Sequence, residues 1–259
     1  NITALEKDGT FDDGQALVKS AFMDEELNRH MKLTAANSIN VARFLPQSFY
    51  YFNAYAQLDK LGKADELVVC VPSGNFGNIT AGLFAYWMGL PIKRFVAANN
   101  RNDVFLEYLN TGTYTPRPSV ATLANAMDVG DPSNFARIID LFGAFNDPHK
   151  EICALISGPR STDEEIASTM RAVYKETGYI LDPHGACGYQ GLLDSDLSET
   201  ETGLFLETAH PAKFKGTVDK ILEADIEIPA KLKAFMEGTK QSIELAKDFE
   251  GFKSFLMSR

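Results

Sequence analysis

The sequence predicts an α/β fold, an open, mostly parallel twisted sheet with helices on both faces, on three observations. Leu67-Val68-Val69-Cys70-Val71 is a continuous apolar, β-branched run stopped by Pro72-Ser73-Gly74, the pattern of a strand buried on both faces. A Gly/Asn loop at 73–78 follows, then a small-residue apolar helix at 79–88 closed by Gly89, then the strand-like Ile92-Lys93-Arg94-Phe95-Val96-Ala97-Ala98. That order implies a parallel, right-handed crossover, and the same alternation continues to a last apolar strand, Leu204-Phe205-Leu206-Glu207-Thr208.

The remaining elements carry their own start and stop signals. Asp12-Asp13 leads into a helix at 15–22. Asn37 or Ser38 is the expected N-cap of a helix running through Phe44 to Leu58, with Phe49, Tyr50, Phe52 and Tyr55 in the core. A helix at 103–109 ends before Gly112, and Asp131-Pro132 opens one reaching Phe142 and Gly143, with Pro where a missing N–H is harmless. Thr162-Asp163-Glu164-Glu165 is a capping box for a helix ending at Gly178. Pro211 opens a helix toward Leu222, and 226–259 is helical in pattern, charged and expected on the outside.

Composition narrows the function classes. The 259 residues are 45% hydrophobic and 23% charged, which excludes disordered, collagen-like and coiled-coil chains, and no repeat period is visible. A net charge of −10 has the wrong sign for a reader of phosphate backbones, so no nucleic-acid partner is expected. Cys70, Cys153 and Cys187 lie far apart with no metal-ligand spacing, so no metal site is expected and a reducing cytoplasm fits better than secretion. No apolar run approaches the roughly 18 residues of a membrane span, and no export leader is visible, so no membrane partner is expected. Asn1 in place of Met, in a segment that reads like the middle of an element, raises the expectation of missing upstream sequence.

The stretch with chemistry in it is Ser73-Gly74-Asn75-Phe76-Gly77-Asn78. Two glycines around an Asn, between a buried strand and a helix start, let several N–H groups converge on one point that the helix dipole makes positive, a setting suited to phosphate. A tight turn with no ligand satisfies the same spacing. The loop is neither a Walker A motif nor a G-x-G-x-x-G fingerprint.

This loop resembles the phosphate-binding loop of fold type II pyridoxal-phosphate enzymes, and the wider pattern resembles the threonine synthase family. Gly9-Thr10-Phe11-Asp12-Asp13-Gly14, Ala36-Asn37-Ser38-Ile39-Asn40, Leu90-Pro91-Ile92-Lys93-Arg94-Phe95, Asn125-Ala126-Met127-Asp128-Val129 and Thr208-Ala209-His210-Pro211-Ala212-Lys213-Phe214 occur in the family's order. The resemblance implies a large domain of the tryptophan-synthase-β type at 36–225, a remnant of the smaller cofactor-clamping domain at 1–35, and a C-terminal helical extension at 226–259 packed on the large domain. It implies pyridoxal 5'-phosphate as cofactor and the lyase reaction of O-phospho-L-homoserine with water to L-threonine and phosphate. It also implies that the Schiff-base lysine belongs to an N-terminal region missing here, so that the chain alone is inactive; Lys213 does not match that lysine's place.

Residue by residue, the resemblance puts the cofactor phosphate on backbone N–H groups from Ser73 to Asn78, with the Ser73 hydroxyl and the Asn75 or Asn78 side chain as further contacts. Thr208 matches the hydroxyl residue that faces the pyridine nitrogen. Ser38, Asn40 and Arg43 are candidate substrate contacts, with capping as the other use of the first two. His30 and His149 read as solvated; His184 and His210 read as structural hydrogen-bonding groups near strand ends. Gly185-Ala186-Cys187 stands where the resemblance leads to Thr-Ala-Val. Two other readings share the loop: a different fold type II lyase or dehydratase, and a non-catalytic anion-binding domain.

Overall fold

The computed structural model describes residues 2–246 and 248–259, which fall into two compact units: 37–226, and 2–36 together with 227–259.

In the smaller unit, strand β1 (Leu5–Glu6) pairs in parallel with a strand at Ile243–Glu244. The helix Phe11–Met23 starts from a capping box in which Thr10 accepts from the Asp13 N–H and Asp13 accepts from the Thr10 N–H. Lys253, on the helix Phe249–Met257, lies 2.8 Å from both Asp24 and Glu26. These contacts group 227–259 with the N-terminal segment, where the sequence reading placed 226–259 on the large domain. Register and ion pairs across more than 200 residues leave no local trace in a helical pattern.

The larger unit is built on a parallel sheet. Strands β2 (Leu67–Pro72), β3 (Ile92–Ala98), β4 (Ile156–Ser157) and β5 (Thr202–Phe205) lie in the order β4-β3-β2-β5, every pairing parallel. All six residues of β2 are buried, as its apolar run requires. Val69, Val71, Phe95 and Ala97 face one core, with the helices Ser48–Lys60 and Gly77–Trp87. Val68, Cys70, Val96 and Ala98 face the other, with the helices Asp163–Thr177, Pro183–Leu193 and Lys215–Leu222. Period-two alternation thus splits two adjacent strands between two cores, and helices cover both faces. From β2 the chain moves to β3 and β4 on one side, while β5 joins β2 on the other, so a topological switch point sits at the C-terminal end of β2.

Four expectations are corrected. The last strand is Thr202–Phe205, paired with Leu67 to Cys70, and Leu206 makes the final bond to the Cys70 carbonyl before the chain leaves the sheet. Thr208 therefore lies beyond the strand and not at its end. The helix expected from Asp131 begins only at Phe135, because Ser133 N donates to Asn75 Oδ1 and Asn134 Nδ2 to the Asn75 carbonyl, holding that stretch as a turn. The helix expected from Asn37 or Ser38 starts after Asn40, whose side chain accepts from the Ala42 N–H, and Pro46 divides it into Val41–Phe44, a tight turn, and Ser48–Lys60. On that helix Tyr51 is buried, while Phe49 and Tyr50 are 66% and 69% exposed.

Candidate cofactor site

The loop after β2 lies at the switch point and feeds the helix Gly77–Trp87. Phe76 takes the left-handed conformation (φ 60°, ψ 14°) before the helix, a strained choice held because its ring is buried against Phe105, 4.7 Å between centroids. Among the described residues the N–H groups of Gly74, Phe76, Gly77 and Asn78 meet no acceptor in the protein; Phe76 gives the helix no side-chain cap, and Asn78 Oδ1 takes only the Ile79 N–H. Backbone donors left open at a helix start suit an anion. Gly74 and Gly77 are required by close packing: a Cβ on Gly74 would sit 2.7 Å from the Met127 Cα, and one on Gly77 2.9 Å from the Ser38 Cβ.

Two cavities meet here. The narrower, 270 Å³, is lined by Gly74 to Asn78, Ser38, Gln47, Pro72, Ala126, Met127, His184, Thr208, Ala209, Lys213 and Phe214. The wider, 720 Å³, is lined by Ala42, Arg43, Pro46, Gln47, Phe49, Tyr50, Asn78, Leu206, Glu207 and Thr208. Gln47, Asn78 and Thr208 border both. An anion site beside a pocket of ring size, opening into a second one with an arginine, fits a phosphorylated aromatic cofactor with room for a small substrate. The described residues contain no group of three or more His, Cys, Asp or Glu able to hold a metal.

The sequence-derived candidates divide. Gly74, Asn75, Phe76, Gly77, Asn78, Ser38 and Thr208 come together at the narrower cavity, and Arg43 lines the wider one. Ser73 is turned inward: it is buried, and its hydroxyl donates to the Val71 carbonyl, 3.0 Å away. Asn40 lines neither cavity and serves as the helix cap. The Asn75 side chain donates to Ser38 Oγ and accepts from Ser133 N at 2.6 Å, and that of Asn78 donates to the Pro72 carbonyl at 2.9 Å. Both amides shape the loop and leave the backbone as its donor surface.

Sequence reasoning missed Gln47, Glu207, Ala126 and Met127 as lining residues and set Lys213 aside, although Lys213 borders the narrower cavity with Nζ 5.2 Å from the centre of the Phe214 ring. Gln47 is four residues after Arg43, the spacing that puts both on one side of a helical turn, and that is the one signal that could have found it.

Three histidines are hydrogen-bonded. His184 Nε2 accepts from Ala126 N at 3.0 Å, so Nδ1 carries the proton and donates to Asp182 Oδ1 at 2.6 Å. His210 caps the short turn Pro211–Phe214 by accepting from Ala212 N. His149, expected in solvent, is half-buried and donates from Nε2 to the Tyr108 and Leu109 carbonyls. Beside His184, burial and the neighbouring Asp182 carboxylate push the Glu207 carboxyl up to about 9. Asp182 is held below the usual carboxylate range: burial opposes this, but bonds from the His184 ring, Glu207 and the His184 N–H outweigh it.

A family model described as "Pyridoxal-phosphate dependent enzyme" matches residues 1–208, and one described as "Threonine synthase, C-terminal" matches 185–256. The chain belongs to the family of pyridoxal-phosphate dependent enzymes, with their fold type II architecture. Its curated relatives include the threonine synthase of Haemophilus influenzae, 47% identical over 99% of this chain and 59% of that protein. Among solved structures it is similar to threonine synthase from Escherichia coli (TM-score 0.91, 44% identity, 99% of this chain and 58% of that one). It is also similar to a pyridoxal-phosphate-bound threonine synthase from Brucella melitensis (TM-score 0.84, 33% identity, 99% and 59%). The chain thus spans about 59% of the length of the relatives it matches. Among the described residues no helix is long and apolar enough to cross a membrane.

Proposed function

We propose that this chain forms the phosphate-holding side of the active cleft of a threonine synthase, the lyase that turns O-phospho-L-homoserine and water into L-threonine and phosphate. The observation that carries the reading is the set of four acceptor-free N–H groups at Gly74, Phe76, Gly77 and Asn78, in a family that uses pyridoxal phosphate. Similarity to threonine synthases over 99% of the chain supports this reaction over the others of the family. When bound, the cofactor supplies an electron sink for carbanionic character at the substrate.

The chain's own residues hold and orient. The backbone of residues 74–78 binds the cofactor phosphate, and Thr208, at the border of the two cavities, offers its hydroxyl to the pyridine nitrogen. Arg43 pairs with the substrate phosphate as a planar fork, and Ser38 braces the loop through Asn75. With Asn40 spent on its helix and Ser73 turned inward, neither is retained as a contact. The Schiff-base lysine comes from a further N-terminal region completing the cleft, so the isolated chain binds without turning over. We place the protein in the cytoplasm, on its three free cysteines.

Two experiments test this. Product analysis of the protein completed by its N-terminal region should give threonine and phosphate; 2-ketobutyrate as main product would replace the synthase by a dehydratase. Borohydride treatment of the isolated chain with pyridoxal phosphate should leave no site-specific lysine adduct, and a stoichiometric adduct on Lys213 would overturn the assignment of the lysine to another segment.

A further inference from the structure

Asp182 is fully buried at the start of the helix Pro183–Leu193. Its Oδ1 takes two bonds, from the His184 N–H at 2.7 Å and from His184 Nδ1 at 2.6 Å. Its Oδ2, equally buried, meets no donor among the described residues as long as every carboxyl is ionised. The group beside it is the Glu207 carboxyl, packed into the space where a Cβ on residue 185 would stand. Only glycine at 185 admits it. Gly185 and the glutamate before Thr208 are therefore two halves of one arrangement.

A buried carboxylate oxygen without a donor is costly, and two adjoining carboxylates cannot both ionise cheaply. Both problems are removed by one proton. We infer that Glu207 is held as a neutral acid donating its proton to Asp182 Oδ2, so that Arg43 is the only charge on the wider cavity. The lining bears this out: apart from Glu207, Arg43 is its one charged residue. The other titratable neighbours are His184, which spends its Nδ1 proton on Asp182, and Tyr179, whose phenol is pushed up by burial and by Glu207. Ionised, Glu207 would cancel the positive field of Arg43 and repel an anionic group; neutral, it leaves the cavity selective for one. The consequence for substrate choice rests on the proposed phosphorylated substrate, whereas the carboxyl pair does not.

The test is a carbon-13 NMR titration of the side-chain carboxyl of Glu207 in the ligand-free chain, the resonance being assigned by its loss in Glu207→Gln. A midpoint near 9 is expected, returning toward 4.5 in Gly185→Ala, where the new methyl group evicts the carboxyl. A midpoint in the ordinary carboxylate range in the parent chain, or one that stays high in Gly185→Ala, would overturn the pair. Sulfate, whose charge is constant over this range, then probes the cavity. Its effect on the Arg43 guanidinium resonances should weaken as Glu207 ionises and become independent of pH in Glu207→Gln. A pH-independent effect in the parent chain would overturn the role in cavity charge. No effect of sulfate at all, with the high midpoint intact, would count against the phosphorylated substrate and leave the pair standing.

Discussion

Two helices of the larger unit begin in opposite ways. The helix Asp163–Thr177 is closed by its own sequence: Thr162 accepts from the Glu165 N–H at 3.3 Å, and Glu165 accepts from the Thr162 N–H at 2.7 Å. The helix Gly77–Trp87 begins from a left-handed phenylalanine with no side-chain cap, and of its first-turn donors Ile79 and Thr80 find acceptors at Asn78 Oδ1 and the Phe76 carbonyl while Gly77 and Asn78 find none among the described residues. Both helices pack on the same sheet, but only the second starts from the end of the central strand at the switch point. The contrast teaches that an unfinished helix start, reached through backbone strain, is a binding surface, while a finished one is a stability device.

The comparison can be broken or sharpened by mutation. Phe76→Ala removes the buried ring that holds the strained turn and should destabilise by about 3–5 kcal/mol in chemical denaturation, the largest effect here. A loss below about 1 kcal/mol would mean that the turn needs no such anchor. Gly74→Ala drives a methyl group into the backbone at Met127 and should cost about 1–3 kcal/mol. It should also erase the stabilisation by inorganic phosphate, about 1.4 kcal/mol in the parent chain at tenfold excess over Kd. Persistence of that stabilisation would move the anion away from the loop.

Thr162→Ala should cost about 1 kcal/mol and leave the phosphate response unchanged. If the response fell with it, the two helix starts would not be independent. The smallest effect is a pH dependence. Glu207 binds its proton more tightly folded than unfolded, so its contribution is complete below about 4.5 and is lost as pH rises through about 9. Because Glu207 is exposed, screening keeps the decline modest. Urea midpoints should drift down over this window in the parent chain and stay level in Glu207→Gln.

Elements whose signal is local were legible. The buried run of β2, the Gly/Asn loop, β3 and the Thr162 box each depend on neighbours within a few residues, and each stands where the sequence reads it. The resemblance of the loop to a pyridoxal-phosphate site was legible for the same reason, since its glycines and asparagines act on their own backbone. The strand at Leu204 to Thr208 was misplaced because its end is set by pairing with Leu67 to Cys70, far away in sequence. The helix from Asp131 was overdrawn because Asn75 competes for the Ser133 N–H. Glu207 escaped notice, and Lys213 was set aside, because nothing near them in sequence shows that they border a cavity.

By itself, then, the sequence determined that β2 and β3 are strands, that a Gly/Asn loop leads from β2 into a helix, and that Thr162 caps another, because these follow from side-chain period, backbone freedom and caps acting over a few residues. Tertiary structure decided which polar groups remain for a ligand. Ser73, Asn40 and Asn75 have the right chemistry, but partners at Val71, Ala42, Ser38 and Ser133 consume it. Glu207 has an ordinary carboxyl until Gly185 makes room for it beside Asp182. A hydrogen-bonding group has few bonds to give, and only the folded chain shows where they are spent.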